Sequence, residues 1–90
     1  MLTSQQIAHV LALHLAERSL FIEELALLTG NVLPASDERW RELERLGLAE
    51  RVSSPHGTAW KAGDETAAFI RSQLPLLKDF FRPDEKAYAL

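Results

Sequence analysis

The residues best suited to binding chemistry are basic side chains in the middle of the chain. Positions 39–61 hold five Lys or Arg and three Glu, a local net charge of +2, whereas the whole 90-residue chain has a net charge of −3. A polyanion such as DNA is therefore expected to bind only at this local patch. The candidate cations are Arg39, Arg41, Arg45, Arg51 and Lys61.

Arg41 and Arg45 are the first candidates for contact with nucleic acid. They are four residues apart on a predicted helix whose apolar stripe begins at Trp40, so both are expected on its outer face. Arginines there can bind phosphates or base edges. Exposed ion pairs with neighbouring acids, worth about 0.2–0.5 kcal/mol each, are the alternative, and both interpretations stay open. The acids concerned are Glu38, Glu42 and Glu44.

Other site chemistries have little support in the sequence. His9 and His14 are five residues apart and lie on different helix faces, unlike the i,i+4 pair of helical zinc sites. His14 is predicted to be a core histidine. No glycine-rich phosphate loop, nucleophile elbow or metalloprotease motif is present. We therefore expect neither an enzyme nor a bound cofactor or metal.

Helix and strand signals predict the elements that position these residues. Thr3 and Gln6 form a capping box for the first helix, and Gly30 and Gly47 are expected to end the second and third. Ser36 is predicted to cap the third helix, whose apolar stripe of Trp40, Leu43 and Leu46 is expected to face the core. The predicted elements are a helix over 3–18, a short strand over 19–22, helices over 23–29 and 36–46, a hairpin of strands 48–53 and 58–61, and a helix over 64–82.

The last helix is rich in apolar residues. One row of them is expected to pack on the first helix, which leaves a second row uncovered in so small a domain. A two-fold dimer through residues 66–81 is therefore predicted. Pro75 is expected to kink or break the helix near Leu74. The predicted dimer contacts are Phe69, Leu76 and Phe80.

Two segments resemble the winged helix-turn-helix superfamily. Residues 24–30 (ELALLTG) are similar to a second helix and its turn, and residues 43–51 (LERLGLAER) to the end of a recognition helix running into a wing. The separation of Gly30 from Gly47 also fits that pattern. The resemblance implies a mainly α fold with a small β-hairpin (α+β). The resemblance covers residues 1–63, within which the wing lies at about 48–61. The helix at 64–82 would be an addition to that fold, and residues 83–90 a tail.

The resemblance also implies a function. A dimeric winged-helix regulator would place its third helix in the major groove of double-stranded DNA, with Arg41 and Arg45 at bases or phosphates. Arg39, Arg51 and Lys61 would then contact the backbone, and His56 would lie at the wing tip. The alternative is a protein-interaction module of the same fold. Trp40 and Trp60 are predicted to lie in the core and not to stack on bases.

The composition of the chain indicates its cellular compartment. The chain has no cysteine, which fits a reducing environment, and no apolar run approaches the roughly 20 residues of a membrane span. The N-terminal sequence lacks the basic start and apolar stretch of a signal peptide. A small cytoplasmic domain is therefore expected.

Overall fold

The computed structural model describes residues 2–80, with side chains as far as Gln73. Within this range the chain is an α+β domain of four helices and a three-stranded antiparallel sheet. The predicted order of elements is confirmed. The elements are α1 (Ser4–Ala16), β1 (Leu20–Phe21), α2 (Ile22–Thr29), α3 (Glu38–Arg45), β2 (Ala49–Ser54), β3 (Gly57–Ala62) and α4 (Thr66–Phe80).

The start of α1 has the predicted capping box. The backbone N–H of Gln6 donates to Thr3 Oγ1 at 3.1 Å, and the backbone N–H of Thr3 donates to Gln6 Oε1 at 2.8 Å. Two helix-terminal N–H groups are thereby satisfied within the chain itself. The helix ends two residues earlier than predicted, because Glu17 adopts a left-handed conformation with φ of 54°.

The ends of α2 are also determined by residues close to them in the sequence. The backbone N–H of Phe21 donates to Glu24 Oε1 at 3.0 Å, and Gly30 closes the helix with φ of 75°. A residue with a Cβ is strained at that φ, so the predicted glycine cap is confirmed by its conformation.

The third helix begins later than the sequence predicted. Asp37, not Ser36, is its N-cap, and the Asp37 carboxylate accepts from the backbone N–H of Arg39 at 2.9 Å. The backbone N–H of Asp37 donates to Pro34 O at 2.9 Å, so the turn after Pro34 delays the helix. The resulting α3 has eight residues. Leu46 is its C-cap and is 51% exposed, so the prediction that it belongs to the core was wrong.

The sheet has the order β1-β3-β2, so β3 is the central strand. Trp60 of β3 pairs with Leu20 on one side and with Arg51 on the other. The hairpin turn lies at Pro55 and His56, as predicted; β2 is shifted by one residue from its predicted bounds, and β3 is one residue longer than predicted at each end. The central strand β3 therefore joins the hairpin to β1 in one sheet.

Two stacked tryptophans form the centre of the core. The rings of Trp40 and Trp60 are parallel within 3° and 4.2 Å apart, and both side chains are fully buried. The indole N–H of Trp40 donates to Leu33 O at 2.9 Å. The prediction that both tryptophans are core residues is confirmed. The other large buried apolar side chains are Val10, Leu13, Leu20, Leu25, Leu33, Leu43 and Leu48.

The buried histidine of α1 is His9, whereas the sequence predicted His14, which is only half-buried. His9 meets Trp40 edge to face at 5.6 Å, and its Nδ1–H donates to Gln5 O at 2.8 Å. Among the described residues, its Nε2 has no hydrogen-bond partner. Burial, opposed by the bond to Gln5, lowers the pKa of His9 below its usual 6.5, with a further contribution from Arg39.

A lowered pKa makes stability depend on pH. Near and below pH 6.5, His9 binds a proton more readily in the unfolded chain than in the folded chain. The free energy of unfolding therefore decreases as the pH falls below about 6.5. Replacing His9 with Phe is expected to remove this slope. Urea unfolding at pH 7.5, 6.5 and 5.5 checks it, and equal slopes in the two proteins would contradict the assignment.

The last helix is anchored at its first residue. Thr66 is buried, and its hydroxyl donates to Leu48 O at 2.9 Å. The helix continues through Pro75 to Phe80, so the break predicted near Leu74 is absent, because one missing backbone hydrogen bond does not end a helix of 15 residues. The alternative, a kink there, stays a prediction. Within residues 2–80 no helix is long and apolar enough to cross a membrane.

Candidate nucleic-acid interface

Two adjacent glutamines of α1 hold α3 in position. The side-chain amide of Gln6 donates to Arg39 O at 3.2 Å and to Glu42 Oε1 at 2.9 Å. The amide of Gln5 donates to Val32 O at 3.2 Å and accepts from the guanidinium of Arg39. These bonds join residues more than 25 positions apart, so they orient the whole helix relative to α1.

Arg39 is engaged within the domain. Its guanidinium pairs with the Asp37 carboxylate at 2.9 Å and also donates to Gln5. Hydrogen bonds from the Arg39 side chain and backbone lower the pKa of Asp37 to about 2, so the pair stays charged at any pH near neutrality. Arg39 therefore braces the start of α3.

Arg41 and Arg45 lie on the outer face of α3, as predicted. Both are exposed, while Trp40 and Leu43 on the other face are fully buried. Neither guanidinium forms a salt bridge with any other side chain that the structure describes. Glu38 and Glu44 are exposed on the same helix, one turn before and after Arg41. The outer face of α3 thus carries two exposed arginines that form no salt bridge with the described side chains, and an acid lies on either side of Arg41.

The two cations of the hairpin lie on opposite faces of it. Arg51 is opposite Trp60, and Lys61 is opposite Glu50, and neighbouring residues of a strand alternate faces. The Arg51 guanidinium lies 5.1 Å from the centre of the Trp60 ring and 4.0 Å from the Glu44 carboxylate. Lys61 Nζ lies 3.7 Å from the Glu50 carboxylate. Arg51 is thereby placed beside α3, whereas Lys61 is not.

His56 occupies the exposed tip of the hairpin. Its backbone N–H donates to Ser54 Oγ at 3.2 Å, and that hydroxyl donates to Gly57 O at 2.9 Å. The tip is thus shaped by hydrogen bonds between the Ser54 hydroxyl and the backbone of the turn, and the His56 residue is exposed to solvent.

The predicted dimer contacts have different outcomes. Phe69 is half-buried and packs partly against the core of its own chain, and its contact in a dimer stays a prediction. The side chains of Leu76 and Phe80 lie outside the described ones. The tail at 83–90 also lies outside the described residues.

Sequence reasoning missed the supporting contacts of the site. Gln6 signals a helix cap in the sequence, but nothing local shows that its amide reaches α3. The stacking of Arg51 on Trp60 follows from strand register, which the turn at 54–57 predicts only to within one residue. Among the side chains the structure describes, no cluster of three or more His, Asp or Glu is arranged for a metal ion.

Comparison of the chain with protein-family models, with curated proteins and with solved structures finds no match. The residues and geometry of this chain are therefore the grounds for its proposed function.

Proposed function

We propose that this chain is a small dimeric winged-helix regulator that binds double-stranded DNA through α3. The proposal is supported by the order of its elements, in which three helices precede a β-hairpin and a short strand between α1 and α2 completes the sheet. It is also supported by the resemblance of residues 24–30 and 43–51 to that superfamily.

The observation that carries the proposal is the outer face of α3. Arg41 and Arg45 are exposed, unpaired among the described side chains and one helical turn apart. An α-helix with its side chains is about 10–12 Å in diameter, which fits a major groove about 12 Å wide, and the eight residues of α3 span about 12 Å. Arginine can bind guanine edges or phosphates with two parallel hydrogen bonds. Arg51 beside α3 would contact the adjoining phosphate backbone.

Salt dependence tests this docking. If Arg41, Arg45 and Arg51 of each copy neutralise one phosphate apiece, a dimer makes six such contacts. The logarithm of the binding constant should then fall with the logarithm of salt concentration with a slope of about −5.4. Fluorescence anisotropy with a labelled mixed-sequence duplex measures it. A chain that binds no duplex at about 0.05 M salt contradicts the proposal.

Removing an acid beside the arginines should strengthen binding. Glu38→Gln deletes a negative charge one turn before Arg41, so we expect tighter binding to the same duplex by about 2- to 5-fold at low salt. The matched control is Glu65→Gln, an exposed acid just before α4. Equal effects of the two substitutions would show that only net charge matters.

A protein-interaction module is the second candidate, and one observation favours it. Leu27 and Leu28 of α2 and Leu15 of α1 are large apolar residues that are 87%, 63% and 78% exposed. Monomeric proteins seldom expose such neighbouring leucines without a partner. This function would be favoured over DNA binding if a folded sample binds no duplex but forms a stable complex with another protein, and if Leu27→Glu abolishes that complex.

A further inference from the structure

An open apolar groove runs between α1 and α2, on the side of α1 that faces away from the tryptophan core. Leu11, Ala12 and Leu15 of α1 form one wall, and Leu28 of α2 forms the other. Leu15 and Leu28 are 78% and 63% exposed, and they are among the most exposed large apolar residues of the described part. This groove lies apart from Arg41 and Arg45, so the DNA-binding proposal does not use it.

The groove has the chemistry of a site for an amphipathic helix. Its lining is aliphatic, and a helix that docks in such a groove inserts anchors spaced i, i+3 and i+7. The sequence from the C-terminal half of α4 to the residue after it offers that spacing, since it holds Leu74, Leu77 and Phe81. Five of the eight residues at 74–81 are Leu or Phe.

The α4 helix of the same copy is an unsuitable occupant. Its first residue is tied to Leu48 through Thr66, its Phe69 packs against the core, and it continues as one helix to Phe80. With this helix in place, Leu15 and Leu28 remain exposed. A helix anchored in this way leaves its own groove open.

The size of the groove argues against pairing by two grooves face to face. That contact would join only a few large side chains from each copy, whereas stable interfaces use roughly 20–30 residues a side. A reciprocal exchange uses both the groove and the α4 stripe of each copy, so it brings two such contacts into one two-fold dimer. This exchange satisfies both apolar surfaces at once.

We infer that the groove between α1 and α2 receives the apolar C-terminal half of α4 from a second copy of the chain. The inference deepens the dimer of the proposed function and is independent of DNA binding. It replaces contact between two α4 helices by contact between α4 and the groove.

Cysteine cross-linking tests the exchange directly, because the chain has no cysteine of its own. One variant carries Leu15→Cys and the other, enlarged by a tag, carries Leu77→Cys. After mixing and mild oxidation, we expect the mixed disulfide to exceed either self-linked species by at least about 5-fold. Glu50→Cys, on the exposed face of the hairpin, is the control for random collision and should give little product with Leu77→Cys.

Each other outcome overturns the inference in a recognisable way. Self-linking of Leu77→Cys without mixed product would show an α4–α4 dimer. A disulfide within one chain carrying both substitutions, at monomer size, would show that the groove holds the chain's own C-terminal segment. A monomer in sedimentation at about 0.1 mM would remove both the exchange and the dimer, while DNA binding through Arg41 would remain separately testable.

A charge in the groove provides a second test. Leu28 is 63% exposed, so Leu28→Glu should leave the fold intact. We expect it to raise the dimer dissociation constant at least about 10-fold, since a charge would replace an apolar anchor. The control is Leu46→Glu, at an exposed leucine at the end of α3. Equal dissociation constants for the Leu28→Glu variant and the original chain would overturn the inference.

Discussion

Replacing Trp40 with Ala is expected to lower the free energy of unfolding by about 3–5 kcal/mol. Trp40 is fully buried between Trp60 and His9, and its N–H satisfies the carbonyl of Leu33. The substitution leaves a cavity and an unpaired buried carbonyl. Because domains of this size are stable by only about 5–15 kcal/mol, this loss would be a large fraction of the total stability. Urea unfolding followed by far-UV circular dichroism measures the loss.

A conservative variant at Trp40 tests how much of this loss of stability comes from removing the aromatic ring. Trp40→Phe keeps an aromatic ring against Trp60 and should lose distinctly less stability than Trp40→Ala. A loss below about 1 kcal/mol in the alanine variant would show that the stacked pair is not the centre of the core.

Replacing Arg41 and Arg45 together with Ala is expected to weaken DNA binding by at least about 100-fold. Each arginine contact with DNA contributes roughly 1–3 kcal/mol, and a dimer loses four of them. The folded state should be unaffected, because both side chains are exposed and unpaired among the described residues. Anisotropy titrations at fixed salt measure the affinity, and circular dichroism verifies the fold.

A control that removes one positive charge away from α3, to be compared with Arg41→Ala alone, makes that result specific. Arg18→Ala removes one positive charge at the end of α1, where the side chain pairs with Glu24 at 2.8 Å. It should change DNA affinity by less than about 3-fold. If Arg18→Ala weakens binding as much as Arg41→Ala does, the attraction is general and α3 is not the reading element.

Local signals in the sequence predicted the framework of the fold. The capping box at Thr3, the glycine stop at Gly30 and the hairpin turn at 54–57 depend on residues only a few positions apart. Trp40 and Trp60 were predictable as core because their size demands burial. Each of these features is set by chemistry within one element.

Features that depend on distant contacts were not predictable. Ser36 and Asp37 are both good caps, and the turn from Pro34 selects Asp37. Periodicity placed both His9 and His14 on α1, but only the position of Trp40 makes His9 the buried one. Helix periodicity continued the apolar stripe to Leu46, where α3 has already ended.

The candidate site shows the same division. The outward direction of Arg41 and Arg45 follows from the helix period and is confirmed by their exposure. The bracing of Arg39 by Asp37 and Gln5 depends on how α1 meets α3, so the sequence could not separate Arg39 from the free cations. The groove between α1 and α2 depends on which leucines remain uncovered after packing.

Selection from a randomised pool of DNA duplexes at about 0.1 M salt tests the central claim most directly. The pool is exposed in parallel to the original chain and to the variant carrying Arg41→Ala and Arg45→Ala, and the bound duplexes are sequenced. We expect the original chain to enrich a palindrome with half-sites about one helical turn apart, and the variant to enrich none. No enrichment by a folded original chain, or the same palindrome from both proteins, would contradict DNA recognition by α3.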